Sequence, residues 1–365
     1  MAPVVLHLIS SLRVGGAERM LVSLLSAARR DREARYVVCI MNDEIDPGLM
    51  AELEACGFPC YRLGRPEGRL HPRYMLELVR IVGRHGVQVV HTHNEGSRKW
   101  AMLLRLARPR LKVVYTLHCL GMAERYGAMA RQLYRAGVDA TVAISPATAR
   151  EGDAIGARRL VEIPNGVELE RFRGARRERF ATGPLRLLQV GRFSPEKGQD
   201  ILIRALANLK SRGVEAACTL AGVTLGARDP WLAELQALAR ELGVADRVDF
   251  VFGRTDVENL LLDADVCVMP SRSEGFGLAL VEAMAAGVPV VASQVGGLAA
   301  LVQDGVNGLL FAAEDAPGLA DAIARLAADP TLRRSLAMEG AASAECYGID
   351  ATLRDHARLY ADLAA

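Results

Sequence analysis

The sequence predicts an α/β protein built from two halves of one plan, each a parallel sheet with helices on both faces, with a cleft between them. Three observations carry this. Short apolar runs alternate with helical segments from end to end, as repeated βα units do. At 365 residues the chain can build two cores of ordinary size. A charged run, Glu168 to Arg179, splits the alternation into two series and has the composition of an interdomain linker.

Composition removes several other classes. With 51% hydrophobic and 24% charged residues, the chain has the balance of a soluble globular protein, and a disordered chain would have less to bury. A net charge of +2 offers nothing to a nucleic acid. The seven cysteines are odd in number and scattered, and no Cys or His grouping has zinc spacing, so a reduced, cytoplasmic compartment is expected. Met1 to Leu12 is apolar but lacks a basic head and a small-residue cleavage site, so it reads as a first strand. The uncharged run Ala283 to Gln303 is broken by Gly287, Pro289, Ser293, Gln294, Gly296 and Gly297 into helix, strand and turn, which excludes a membrane span there.

The first series opens with a buried strand, Val4 to Ile9, then the loop Ser10 to Gly16 and a helix, Ala17 to Ala28. A strand, a glycine loop and a helix start can seat an anion. The loop is neither Gly-x-Gly-x-x-Gly nor a P-loop, so the two dominant nucleotide fingerprints are absent. Strands follow near Tyr36 to Met41, Pro59 to Leu63, Val87 to His91, Lys112 to Leu117 and Ala140 to Ile144, with helices between. In parallel sheets ligands bind beyond the carboxyl ends of the strands. His91, His93 and His118 fall at such ends, as capping or packing groups or as site groups. His118 is the one better suited to a cleft, since a helix begins near Met122.

The segment holding Arg98, Lys99, Arg105, Arg108, Arg110 and Lys112, with Trp100, Met102, Leu103, Leu104 and Leu106 interleaved, has two readings. It is an amphipathic helix with a solvated basic face, or a docking surface for an anionic membrane or acceptor. Val161 to Val167, with an Asn165-Gly166 turn, closes this series.

The second series reads strand Leu185 to Val190, helix Asp200 to Ser211, strand Ala216 to Ala221, helix Pro230 to Leu242, then strands Val248 to Phe252, Val266 to Met269 and Val288 to Ala292. After its first strand comes Gly191-Arg192-Phe193-Ser194-Pro195-Glu196-Lys197-Gly198. Two cations beside a helix start suit a diphosphate without a metal. Asp263 and Asp265 precede the strand Val266 to Met269, at the end away from ligands, and read as a turn, with no metal. From Pro270 the chain runs through Glu274, Gly275, Phe276, Gly277 and Leu278 to Glu282: a strand end, a flexible loop and a helix start with free amides. The two glutamates read as acceptors for sugar or ribose hydroxyls, or as a helix cap plus one surface glutamate. A short strand around Leu309 to Phe311 and helices Gly318 to Ala328, Thr331 to Ala344 and Asp350 to Leu363 complete the chain.

These features together resemble the retaining family 4, or group 1, glycosyltransferases of the GT-B fold, over nearly the whole chain. The resemblance rests on Gly15-Gly16 after the first strand, Asn165-Gly166-Val167, the Gly191-Arg192 to Lys197-Gly198 segment, and the Glu274 and Glu282 pair. It departs from the family pattern at Ala299-Ala300, where Pro-Glu is frequent, at Glu168, where Asp is usual, and at Cys119, where Gly often follows the histidine.

The resemblance implies two Rossmann-like domains facing each other: an acceptor-side domain over 1–170, a linker over 171–184, a donor-binding domain over 185–348, and a C-terminal helix over 349–365 crossing back to the first. It implies a retaining, metal-independent hexosyltransferase that needs no cofactor. The donor is a nucleotide-diphosphate sugar, UDP-sugar favoured over GDP-sugar, and the acceptor a saccharide or a lipid-linked group, in bacterial surface polysaccharide, lipopolysaccharide or glycolipid synthesis. By carry-over, Arg192 and Lys197 neutralise the diphosphate, Glu282 binds the ribose, and Glu274 with the amides of Gly275, Phe276, Gly277 and Leu278 holds the donor sugar. Gly15 and Gly16 permit closure against the donor, and His118 faces the transferred sugar. The expected place of work is the cytoplasm, at the inner face of the membrane if the basic segment docks there. A sugar-nucleotide epimerase of the same fold, or a non-catalytic sugar-nucleotide-binding subunit, are the competing readings.

Overall fold

The computed structural model describes residues 2–30, 33–173, 184–224, 229–254 and 256–365. The chain forms two compact units: Met1–Gly166 joined by Ile349–Ala365, and Val167–Gly348. Positions 174–183 of the expected linker lie outside the described residues, and its start falls within a short helix, Leu169–Arg173, of the second unit.

The first unit is a seven-stranded parallel sheet. Its strands are β1 (Val4–Ile9), β2 (Arg35–Asn42), β3 (Cys60–Arg65), β4 (Val89–Thr92), β5 (Lys112–Leu117), β6 (Ala140–Ala143) and β7 (Leu160–Glu162), in the spatial order β3-β2-β1-β4-β5-β6-β7. Runs such as VVLHLI in β1 are apolar without alternation because helices cover both faces, and every residue of that strand is buried. Helix starts are set by local chemistry. Asn94 accepts from the Ser97 amide and Ser97 answers toward the Asn94 backbone, and Ser145 does the same with Thr148. The last helix, Ile349–Ala364, belongs to this unit: Thr352 Oγ1 donates to the Pro164 carbonyl at 2.9 Å, and Tyr360 is fully buried.

The second unit is a six-stranded parallel sheet of β8 (Leu185–Val190), β9 (Ala216–Gly222), β10 (Val248–Phe252), β11 (Val266–Met269), β12 (Val290–Ser293) and β13 (Leu309–Phe311), ordered β10-β9-β8-β11-β12-β13. Here β12 starts two residues later than its apolar run predicts. Gly287 turns left-handed at φ 67, the Val288 amide closes back on Ala283 O, and Pro289 has no amide to give, so only its carbonyl joins the ladder, to Cys267 N at 2.9 Å.

Both sheets share one consequence of winding. Connections run outward from a central strand in one direction and then restart on its other side, so the order reverses between β1 and β4 and between β8 and β11. Loops leaving the carboxyl ends of those neighbouring strands diverge, and side chains far apart in sequence meet there. Among the described residues no helix is long and apolar enough to cross a membrane.

Candidate functional site

In the second unit the reversal brings together the loops after β8 and β11. Lys197 ends the short turn Pro195–Lys197, and Glu274 lies in the loop after β11; Lys197 Nζ donates to Glu274 Oε2 at 2.5 Å. Both side chains are mostly buried, 23% and 14% exposed. A charge-assisted bond of this kind contributes about 1.5–3 kcal/mol. The pairing was not legible from either segment, since 77 residues separate the partners.

The loops are held from beneath. Gln189, on β8, donates through Nε2 to Lys197 O at 2.7 Å. Gln199, at the start of helix Gln199–Ser211, donates to Arg192 O at 2.9 Å and accepts from Trp231 Nε1 at 3.1 Å. At Gly198, φ is 65, and a Cβ would stand 2.0 Å from the Pro270 carbonyl oxygen, so only glycine lets the two loops touch there. Arg192 is exposed at the rim of the same loop.

After Glu274 the chain turns through Gly275 and buried Phe276, whose ring packs edge-on against Tyr347, to Gly277 at φ 110. Gly277 opens the helix Leu278–Ala285, which has no side-chain cap. The amides of its first turn carry the positive end of the helix dipole, and the Leu280 amide donates to Gly277 O at 3.0 Å. The Glu274 carbonyl is fixed by the Gly297 amide at 2.8 Å. Because the Phe276 side chain is buried, this residue offers a ligand its backbone and not its ring. Glu282, half-buried one turn into the helix, lies in the field of Arg171. Arg171 also pairs with Glu258 at 2.8 Å. Burial alone would lower the Arg171 pKa, but Glu258, Glu282 and Glu168 outweigh it and raise it. The sequence reading passed over Arg171, which sits in a charged run like any surface arginine.

In the first unit Gly15 precedes the helix Gly16–Ala28 in an extended conformation without a side-chain cap, with the Glu18 carboxylate against it. At the reversal between β1 and β4, Ser10 Oγ donates to Asn94 Oδ1 at 2.6 Å. The histidines are more numerous than expected. His91 lies within β4 and not at its end; it is fully buried, its Nδ1 against the Tyr360 hydroxyl at 2.5 Å and its Nε2 against Thr116 Oγ1 at 2.6 Å. His93 Nε2 meets His7 Nδ1 at 2.9 Å, and the His93 ring lies 5.9 Å from that of His118. His356 on the last helix stacks 5.4 Å from His91. His7 and His356 were missed, although both fall in apolar stripes.

Burial pushes all five imidazoles down, to about 3 for His7 and about 4 for His118 and His356, and well below the ordinary value for His91 and His93; neighbouring histidines add to the effect at His7, His91, His93 and His118, whereas at His356 the Thr352 carbonyl and Asp355 oppose it. They are neutral at pH 7. His118 Nε2 is shielded from water and finds no partner among the described residues. Ring nitrogens of His7, His91 and His93 lie within 4.8 Å of one another, a donor set that suits a transition metal. In this arrangement His7 and His93 bond each other and both His91 nitrogens face hydroxyls.

Asp265, at the amino end of β11, grips Arg186 through both carboxylate oxygens at 3.1 Å and is spent on that pair. The basic segment differs from the solvated-face reading. On the helix Glu95–Ala107, Arg98 is only 4% exposed, donating to the Tyr126 hydroxyl with its guanidinium over the Tyr134 ring at 4.9 Å, and Arg105 pairs with Asp139 at 2.7 Å. Arg98 occupies the buried stripe of that helix, and three tyrosines, Tyr115, Tyr126 and Tyr134, supply the faces that accept its charge. Leu103 and Leu106 are instead exposed, at 50% and 78%.

Two family profiles match this chain in tandem: glycosyltransferase family 4 over residues 14–171 and glycosyl transferases group 1 over 172–342. The chain is 34% identical over 291 residues to the GDP-mannose-dependent alpha-(1-6)-phosphatidylinositol monomannoside mannosyltransferase of Mycolicibacterium smegmatis, covering 73% of this chain and 74% of that protein. It is 39% identical over 208 residues to the D-inositol 3-phosphate glycosyltransferase of Actinosynnema mirum, covering 53% of this chain and 49% of that one. The matched part spans about half the length of the curated relatives of this second kind. Among solved structures, Anabaena HepE in complex with UDP and glucose superposes with a TM-score of 0.85 at 24% identity, covering 99% of this chain and all of that one. Sucrose-phosphate synthase from Thermosynechococcus elongatus superposes at 0.82 with 25% identity over 98% of both chains.

Proposed function

This chain belongs to the family 4, group 1 glycosyltransferases, and from that premise we propose that it moves a hexose-type sugar from a nucleotide-diphosphate sugar to a saccharide or lipid-linked acceptor with retention of configuration. The observation that carries the reading is the meeting of Lys197 and Glu274 at the reversal point of the second sheet, beside the uncapped helix Leu278–Ala285 that bears Glu282. An anion seat flanked by carboxylates suits a ligand that is both phosphate and polyol.

In this assignment Arg192, Lys197 and the amides at the start of the helix Leu278–Ala285 take the diphosphate. Glu274 and the backbone of Gly275, Phe276, Gly277 and Leu278 take the sugar, and Glu282 the ribose. His118, kept neutral by loss of hydration around its ring, serves as a hydrogen-bond partner for a sugar hydroxyl. In the transfer the bond from the anomeric carbon to the phosphate oxygen breaks with its electron pair going to that oxygen. The acceptor hydroxyl attacks on the same face, and its proton passes to the leaving phosphate. The negative charge that grows on the diphosphate is what Arg192 and Lys197 stabilise, so the scheme asks for no separate general base.

UDP-sugar is the favoured donor and GDP-sugar the alternative. UDP is the nucleotide bound in HepE, and GDP-mannose is named for the mycobacterial relative. A surface polysaccharide or glycolipid acceptor fits a peripheral membrane contact by the first unit, where Leu103, Leu106, Met129 and Leu133 stand 50–78% exposed near Lys99, Arg131 and Arg135. Co-sedimentation with anionic vesicles tests that contact, and indifference to lipid charge would remove it.

The test of the main reading offers the purified protein a panel of UDP- and GDP-sugars and follows thermal stabilisation and slow hydrolysis. Stabilisation by one donor is expected. Conversion of a donor to its epimer without acceptor would replace transfer with epimerisation.

A further inference from the structure

We propose that Arg272 is a positioning residue that sets the geometry of Lys197 and Glu274 by clamping three loops at the carboxyl edge of the second sheet; this rests on reading those two side chains as donor-binding groups. Arg272 stands two residues before Glu274. Its backbone amide donates to Glu196 O at 2.8 Å, and its Nη1 to Pro195 O at 2.6 Å, so the turn that carries Lys197 is tied directly to the loop that carries Glu274. Nη1 and Nη2 grip Asp200, on the helix that follows Lys197, at 2.8 Å each. Nε and Nη2 reach Glu314, beyond β13, at 2.5 and 2.9 Å.

All three guanidinium nitrogens are therefore engaged, with loops after β8, β11 and β13. Two carboxylates flank the one guanidinium, which holds its pKa above the ordinary value. Glu314 adopts φ 64, and among the described residues it is the one non-glycine with positive φ. A left-handed backbone at a glutamate costs free energy and persists where its surroundings hold it. Here it is Arg272 that takes up the carboxylate so placed.

An isolated exposed ion pair does little. This group differs because the bidentate, planar contact fixes direction, which an ammonium cannot copy. Lys197 and Glu274 also oppose each other in charge, so each is free to lean on its partner unless their backbones are fixed. Gln189 fixes Lys197 O from β8; Arg272 fixes the other side.

The experiment compares wild type, Arg272→Gln and Arg272→Lys in titration calorimetry with UDP and GDP and with uridine and guanosine, alongside thermal melting. In Arg272→Gln the diphosphate affinity is expected to fall roughly tenfold, the worth of one charge-assisted hydrogen bond, with nucleoside affinity unchanged. Arg272→Lys should recover only part of the loss. Glu314→Gly, which relieves the backbone and removes one grip, should weaken the diphosphate by about threefold and keeps the test alive if Arg272→Gln does not fold. A purely structural role would lower nucleoside and diphosphate binding in the same proportion, and that result, or an unchanged diphosphate affinity, overturns the proposal. If wild type binds neither UDP nor GDP, the donor-site reading falls and the proposal with it.

Discussion

Acid should unfold the first unit before the second. All seven histidines, at positions 7, 71, 85, 91, 93, 118 and 356, belong to the first unit, and the second has none. Four are buried and His118 is partly buried, and loss of hydration keeps all five neutral. A histidine whose folded pKa is depressed binds its proton in the unfolded state first. Its neutral, buried form is therefore fully favourable above the unfolded value of 6.5, and stability is lost as pH falls below that value. The loss levels off only under the folded values, about 3 for His7 and about 4 for His118 and His356.

At pH 5 each of these three groups costs about 2 kcal/mol, or about 6 kcal/mol together, from the linkage slope of about 1.4 kcal/mol per pH unit. His91 and His93 act in the same direction. Domain stabilities of about 5–15 kcal/mol leave little against that. The assay uses the fact that Trp100 lies in the first unit and Trp231 in the second, the only two tryptophans. Trp231→Phe makes fluorescence a reporter of the first unit, and Trp100→Phe of the second. The Trp100 transition is expected near pH 5, and His356→Gln should move it lower by removing about 2 kcal/mol of the loss. A Trp100 signal unchanged down to pH 4 would refute the reasoning.

Glu282→Ala should weaken nucleoside-diphosphate binding by about tenfold in calorimetry, and an unchanged affinity would end its ribose role. Lys197→Ala should lower kcat/KM for the donor about 10- to 100-fold, since it removes a charge-assisted contact to the leaving group; equal turnover would exclude it from the chemistry. Gly198→Ala should cost roughly 2 kcal/mol or more, because φ is 65 and the new Cβ meets the Pro270 oxygen at 2.0 Å; an unshifted thermal midpoint would contradict the tight loop contact. Removing divalent metals with a chelator should leave turnover intact, and complete loss would turn attention to the His7, His91 and His93 cluster.

Much of the architecture is legible because a parallel strand buried on both faces has to be apolar along its whole length. β1, β5 and β11 fall where such runs place them, and so do β8 and β10, although exposed Arg186 and Asp249 interrupt their apolar runs. β12 does not, because the apolar run from Val288 includes a proline whose missing amide delays the ladder. Arg98 reads as a surface charge by its chemistry, whereas its place in the stripe with Ser97, Trp100, Ala101 and Leu104 puts it inside. Residue type and helical period disagree there, and period wins because three tyrosine rings accept the cation.

The sequence by itself determined the two α/β series, the strand, loop and helix around Glu274 and Glu282, and the cation-bearing loop around Lys197. These follow from local rules of chain geometry and apolar period. Only the tertiary structure decided that Lys197 meets Glu274, that Arg272 joins loops as distant as Pro195 and Glu314, and that four histidines, His7, His91, His93 and His356, share one core with His118 at its edge. The physical reason is the order of the strands: a sheet wound outward from β8 and then from β11 makes neighbours of loops that no local rule connects.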